Sequence, residues 1–325
     1  MQSEFTENNS NLRLVINSIL NDSTDVQKAD FLIAINESEN SSEIVAELAT
    51  IIKNRASLSR ISNVSDIVGT GGDSKNTINV STASALVVSS LGVRIAKHGN
   101  FGATSNKGSA DFLRFLGYNF EMDQTSLERR VTETSFAFIL APRFNDSFAK
   151  FAIARKMIAV KTAFNYLGPL TNPADPDILM LGVTNDKISN LYVNYMLLNG
   201  KRGCVLYSED GMDEISPYSS TNITFIRDNE STKEIISPDE IFGERIGIEQ
   251  ISRADPDESF RLTMDGLTGH NNNAARFIAL NAGLSLLING RVNYVSEGYR
   301  NALEAINSGL VHEHLQRVLE VASFA

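Results

Sequence analysis

From about residue 64 to residue 208 the chain repeats one grammar: a short apolar run, a glycine turn or loop, then a stretch of helical length. SDIVGTGGD leads into VSTASALVVSSLG, and VRIAKHGN leads through a polar loop into SADFLRFLG. SFAFILAP, ILMLGVT, a helix-like stretch over 186–199 and RGCVLYSED continue the series. Strands that alternate with helices argue for a mostly parallel sheet with helices on both faces. NITFIRD and TKEIIS have no helix between them and read as an antiparallel hairpin.

Before residue 64 the signal is helical. NLRLVINSIL, DVQKADFLIAIN and SSEIVAELATIIKNRASL space their apolar residues by three and four, with Ser41 or Ser42 as a cap for the last. Segment 145–176 also reads as mostly helical, with Pro169, Pro173 and Pro176 punctuating its end. The last third returns to helix: DESFRLTMDGL, NNAARFIALNAGLSLLI, VNYVSEGYRNALEAINSG and HEHLQRVLEVAS. The expected fold class is α/β, a small all-helical domain beside a larger domain with a mostly parallel central sheet.

The 325 residues suit two modest domains, or one large domain carrying a smaller one. A formal net charge of −10 argues against a nucleic-acid partner, which would ask for a basic footprint. No apolar run approaches the roughly 18–20 residues of a membrane span, and MQSEFTENNSNLRL lacks the pattern of a secretory signal. A single cysteine, Cys204, cannot form an internal disulfide, so a reducing cytoplasm is the expected location. Cys204 lies in the apolar stretch RGCVLY and reads as a buried strand residue. An acidic chain that takes a phosphorylated anion needs local donors and a bridging cation.

Four places offer such chemistry. The first is Gly69-Thr70-Gly71-Gly72-Asp73, followed by Asn79-Val80-Ser81-Thr82. Glycines let backbone approach a phosphate closely, and the free N–H groups of the following helix start favour an anion. A tight turn with a capping hydroxyl explains the same residues. The pattern is neither a dinucleotide fingerprint nor a P-loop.

The second is Lys97-His98-Gly99-Asn100, continuing through Ser105 and Asn106 to Ser109. It also joins a strand to a helix, and two such loops on one parallel sheet face one crevice. Lys97 supplies a point charge, and the polar side chains supply hydrogen bonds. The third is Asp213-Glu214, just past a strand, where paired carboxylates suit Mg²⁺ or simply a solvated loop. The fourth is Arg155, whose guanidinium could hold a small carboxylic acid or merely decorate a helix. His270, His312 and His314 show no metal-ligand spacing.

Taken in order, GTGGD, NVSTAS, KHGN, GSAD, TAFNYLGPLTNPA and EDGMDEIS resemble anthranilate phosphoribosyltransferase over nearly the whole chain. GTGGD and KHGN are shared with the related pyrimidine nucleoside phosphorylases. The resemblance implies a homodimeric enzyme of tryptophan biosynthesis. It moves ribose 5-phosphate from phosphoribosyl pyrophosphate (PRPP) to the amine of anthranilate and releases pyrophosphate. It implies a helical domain from residues 1–62 and 157–185, and an α/β domain from 63–156 and 186–325.

By the same resemblance, Gly69, Gly72, Asp73, Thr77, Asn79, Val80, Ser81 and Thr82 contact PRPP. So do Lys97, His98, Gly99, Ser105 and Ser109. Asn100 and Arg155 contact anthranilate. Asp213 and Glu214 hold Mg²⁺, with Ser81 near a metal, and His98 is a candidate proton acceptor. The chain departs from the family loop at Phe101, Gly102, Asn106 and Lys107, where arginine, serine, lysine and serine are usual. Arg143 to Asp146 stand where a histidine pair is usual, and Lys161 stands where arginine is common. Two other readings stay open: a pyrimidine nucleoside phosphorylase, and a non-catalytic paralogue that binds nucleic acid or another partner.

Overall fold

The computed structural model describes residues 2–37, 41–71, 73–102, 106–158 and 162–323. Three helices open the chain: α1 (Gln2–Asp22), α2 (Asp25–Glu37) and α3 (Ser41–Asn54). The alternating region holds β1 (Ser65–Gly69), α4 (Val80–Ser90), β2 (Ile95–Gly99), α5 (Ser109–Phe115), α6 (Gln124–Thr134) and β3 (Phe136–Leu140). It continues with the short α7 (Ala141–Phe144) and α8 (Ala152–Ile158), then β4 (Ile178–Gly182), α9 (Asp186–Leu198) and β5 (Arg202–Ser208). The hairpin is β6 (Thr221–Arg227) and β7 (Glu230–Ile236). Helices α10 (Pro238–Phe242), α11 (Pro256–Leu267), α12 (Asn272–Ile288), α13 (Val295–Asn307) and α14 (Leu310–Ser323) complete the described chain.

The seven strands form one sheet in the order β3-β2-β1-β4-β5-β6-β7. The first five are parallel, and β6 and β7 are antiparallel. The order reverses between β1 and β4. Connections on either side of such a point leave in opposite directions and open a crevice at the carboxyl ends of the strands. The edge strand β7 is exposed along most of its length and carries Glu230, Lys233 and Glu234, charges that discourage pairing with another edge.

Two apolar cores flank the sheet. The larger joins β1–β3 to α4, α11, α12, α13 and α14. Helix α4 is small and apolar nearly all round because it is buried nearly all round, from Val80 to Ser89. The second core joins α1, α2 and α3 to Phe151, Phe164 and Leu170, to Ile188, Tyr192 and Tyr195 of α9, and to Leu179, Leu181, Val205 and Ile226 of the sheet.

That second core corrects the expected boundary. Ile178–Gly182, assigned to the helical domain within 157–185, is the strand between β1 and β5. Its side chains alternate between the two cores, with Met180 in the larger core and Leu179 and Leu181 in the second. Helix α9 in turn packs with the helical front rather than away from it. Among its described residues, the segment 145–176 holds one α-helix, α8, and three single 3₁₀ turns. Gly168-Pro169 and Asn172-Pro173 interrupt the ladder that a longer helix would need. Cys204 is fully buried on β5, as the apolar run implied. No helix among the described residues is long and apolar enough to cross a membrane.

Candidate active site

The carboxyl ends of β1, β4 and β5 meet at one place, and the sequence supplies glycine there twice. Gly69 and Gly182 end β1 and β4 and are register partners. Asp213, on the turn after β5, lies against both. A Cβ on Gly69 would stand 2.7 Å from Asp213 Oδ2, and one on Gly182 would stand 1.7 Å from the Asp213 carbonyl oxygen. Thr70 Oγ1 and Gly71 N donate to Asp213 Oδ2 at 2.9 and 2.7 Å. The first glycine loop is therefore tied to the acidic turn by the very carboxylate expected to hold a metal.

Asp73, Asp213 and Glu214 each offer an oxygen, and these oxygens all lie within 4.8 Å of one another. Glu214 Oε2 accepts from Thr77 Oγ1 at 3.3 Å, and Asp73 Oδ2 is buried without a partner. Burial, then the charges of Asp213 and Asp73, pushes the Glu214 carboxyl well above its usual range. Burial and then Asp73 push Asp213 up to about 6. Asp73 is raised too, by burial first. Three partly desolvated carboxylates that disfavour one another's charge make a place for a hard cation. The resemblance implies Asp213, Glu214 and Ser81 around the metal and Asp73 as a PRPP ligand; the geometry sets the Asp73 carboxylate beside the other two. Ser81 lines the same small cavity as Gly69, Asp213 and Glu214.

Lys97 lies buried on β2. Its Nζ donates to the Ile67 carbonyl and lies 3.5 Å from Ser81 Oγ. Burial lowers its pKa, and the charges of Asp66 and Glu214 oppose that shift. Asp66 on β1 accepts from the His98 amide at 3.3 Å and from Asn172 Nδ2 at 2.8 Å. Asn172 Nδ2 also donates to the Ala96 carbonyl at 2.8 Å. Burial pushes Asp66 up to about 6 against the pull of Lys97. Asp66 and Asn172 were not singled out from sequence; the available signal was a lone acid inside the apolar run SDIVG. Asn281 was also missed. It is a buried amide on α12 that accepts from Ile215 N at 2.9 Å and so fixes the acidic turn from behind.

The two glycine loops are joined. Asn79 Nδ2 donates to the Lys107 carbonyl at 2.9 Å, so Asn79 spans from one loop to the other instead of capping α4. Asn79 Oδ1 and Thr82 Oγ1 are buried without partners, which in a folded protein calls for a ligand or water. Val80 begins α4 fully buried. Ser109 begins α5 so close to β2 that a Cβ on Gly99 would stand 2.2 Å from Ser109 Oγ. Gly72, Ser105 and Lys161 lie outside the described residues.

The acceptor residues are less tightly tied. Asn100 is exposed after β2, and its Oδ1 accepts from Phe101 N at 2.8 Å. Arg155 is on α8, with its guanidinium 5.6 Å over the Phe164 ring. No hydrogen bond joins the two among the described residues. The unusual Phe101 is built into packing: its ring meets Phe120 edge-on at 5.7 Å, and Arg114 stacks over it at 4.8 Å. The unusual Lys107 donates its Nζ to the Arg253 carbonyl. Asp111 Oδ2 accepts from Gly102 N at 2.7 Å and from Gly108 N at 3.0 Å, closing the base of the loop between them.

His98 is buried, and burial, with Lys97 nearby, holds its imidazole down to about 4 despite a bond with the Gly168 backbone. Such a ring is neutral at neutral pH and a weak base, which argues against the proton-acceptor role expected for it. Because the folded value lies below the unfolded one, His98 contributes stability above about pH 6.5. That contribution is lost as pH falls through about 6.5 toward 4. The His98 ring signals in an NMR titration should stay at their neutral positions down to about pH 5. A midpoint near 6.5 would remove this account.

Comparison with known proteins bears on the whole arrangement. Residues 62–311 match the model of the glycosyl transferase family, a/b domain. The chain is 40% identical to an anthranilate phosphoribosyltransferase of Picrophilus torridus over 298 residues, covering 91% of each. Among solved structures, it resembles anthranilate phosphoribosyltransferase from Thermus thermophilus with a TM-score of 0.89 and 29% identity, covering 97% of this chain and 95% of that one. It also resembles the Saccharomyces cerevisiae enzyme in complex with PRPP and Mg, with a TM-score of 0.84 and 26% identity over 97% and 92% of the two chains. With the glycine loops, the acidic turn and the sheet order all in place, the chain belongs to the anthranilate phosphoribosyltransferases.

Proposed function

We propose that the chain transfers the 5-phosphoribosyl group of PRPP to the amine of anthranilate, releasing pyrophosphate, in tryptophan biosynthesis. The observation that carries the reading is the convergence of Asp73, Asp213 and Glu214, whose oxygens lie within 4.8 Å of one another, against the first glycine loop. Those residues fit Mg²⁺: hard oxygen donors, one of them a buried carboxylate oxygen without a partner. Asp73, Asp213 and Glu214 would hold the ion, with Ser81 beside it. When bound, Mg²⁺ supplies positive charge to the diphosphate oxygens.

The chain's own residues do the rest. Gly69 and Gly71 let the diphosphate approach the backbone closely, and Ser81 and Thr82, at the start of α4 where Asn79 makes no side-chain cap, offer N–H groups where leaving-group charge grows. Thr77 and Asn79 border that place. Lys97, fixed by the Ile67 carbonyl, adds a donor at its floor. Ser109 and the residues from Lys97 to Gly102 bound the sugar phosphate. Asn100 and Arg155 orient anthranilate, Arg155 through its carboxylate. The aryl amine is already unprotonated at neutral pH, so its lone pair forms the new C–N bond as the C1–O bond breaks. The surplus proton leaves afterwards without a strong base, consistent with a neutral His98.

Exposed apolar residues on the helical front, Leu14, Val15, Val26 and Ile33, support a homodimer. A cytoplasmic location accords with the single, buried cysteine. The test is a steady-state assay of the whole chain. Pyrophosphate should appear only when PRPP, Mg²⁺ and anthranilate are all present, and the same preparation should sediment as a dimer. Failure to consume anthranilate at saturating PRPP, or phosphorolysis of uridine or thymidine instead, would overturn the reading.

A further inference from the structure

A second charged site lies at the opposite end of the same strands. A cavity of about 610 Å³ opens at the amino ends of β1, β2, β4 and β5. Arg60, Arg94, Arg202 and Arg291 line it, with Asp177 as the acidic residue among its lining. Four guanidiniums around one cavity are unexpected in a chain of net charge −10. β1 runs from Ser65 in this cavity to Gly69 at the acidic turn, so the two sites are separated by the height of the sheet.

The guanidiniums are unequally committed. Arg60 pairs with Asp177, and Arg291 Nη2 donates to the Gly92 carbonyl at 2.8 Å. Arg94 and Arg202 have no side-chain hydrogen bond or ion pair among the described residues, and Arg94 Nε is buried without a partner. A solvated surface arginine keeps its nitrogens wet. A buried Nε that donates to nothing costs free energy unless an acceptor arrives. Hydroxyl and amide groups of Ser62 and Asn289 also line the cavity and could hydrogen-bond an oxyanion.

We propose that this cavity binds a small multivalent, phosphate-bearing anion, held chiefly by Arg94 and Arg202, at a site separate from the one that binds PRPP. Guanidinium forks match phosphate oxygens two at a time, and several together favour a multiply charged ligand over a monoanion. The proposal does not depend on the reaction assigned above.

Inorganic tripolyphosphate is the probe, titrated calorimetrically into the whole chain at low ionic strength with no Mg²⁺ present. One equivalent should bind. R94Q/R202Q should weaken binding at least about tenfold while leaving the KM for PRPP unchanged. R202Q alone, at an exposed position that the fold does not need, should weaken it about threefold or more and guards against a double variant that fails to fold. Citrate should bind more weakly than tripolyphosphate. Equal affinity of wild type and R202Q, displacement of the probe by PRPP, or tighter binding of citrate would overturn the proposal.

Discussion

Replacing Asp213 and Glu214 together, as D213N/E214Q, should lower kcat/KM for PRPP by on the order of 10³-fold, the cost typical of losing preorganised charge stabilisation. Asparagine and glutamine keep the shapes and the carbonyl acceptors. Thr70 Oγ1, Gly71 N and Thr77 Oγ1 therefore retain their partners, and the loop has no reason to unfold. Only the negative charge that draws Mg²⁺ is removed. The same substitution should not destabilise the metal-free protein. Burial and mutual repulsion raise both carboxyls, so ionising them there is unfavourable and a neutral amide relieves that. Thermal melts in EDTA should place the variant at or above wild type. Activity within tenfold of wild type at saturating Mg²⁺ would show that the acidic turn does not hold the ion.

The glycine loops were legible because close approach leaves a sequence trace. Gly69 and Gly99 stand where a Cβ would strike Asp213 and Ser109, so GTGGD and KHGN follow directly from geometry. The parallel sheet was legible because alternation of strand and helix is a local pattern. What a strand pairs with is not local: ILMLG reads the same beside any neighbour, and only register with β1 and β5 puts it in the sheet rather than the helical front.

Helix α6 escaped for a related reason. QTSLERRVTET is polar, and its inner face includes Arg130, which is buried only because the carbonyls of Asn119, Glu121 and Ala322 accept from it. The last of those is 192 residues away. Asp66, Asn172 and Asn281 are likewise single polar residues in apolar or turn sequence. Their partners come from distant segments, Asn172 reaching 106 residues back to Asp66 and Asn281 reaching 66 residues back to Ile215. Asp73 was legible as a site residue but not as a metal ligand. Its neighbours in the cluster lie on a turn after β5, some 140 residues on.

A single methyl group at Gly182 should be nearly as damaging as loss of the acids, by another route. In G182A the new Cβ would be built 1.7 Å from the Asp213 carbonyl oxygen, which is backbone and cannot rotate away. Gly182 is the last residue of a central strand and the partner of Gly69, and its carbonyl accepts from Thr70 N at 3.1 Å. Sliding the strand would strain that bond and the register together. The Asp213 turn must move instead, against Asn281, which holds the Ile215 amide two residues on. Overpacking of this kind costs about 1–3 kcal/mol and sometimes more, here at the upper end. Displacement of the carboxylate by about 1 Å should reduce kcat roughly 100-fold. The two effects separate experimentally. Denaturant melts report the strain, while added Mg²⁺ should recover little of the activity, because the fault is the position of the carboxylate and not its charge. The control is G211A, at a turn glycine with open space around it but a φ of +87°. It should cost stability through backbone strain alone and leave kcat near wild type. If G182A melts and turns over like wild type, the contact between the end of β4 and the acidic turn does not position the metal site.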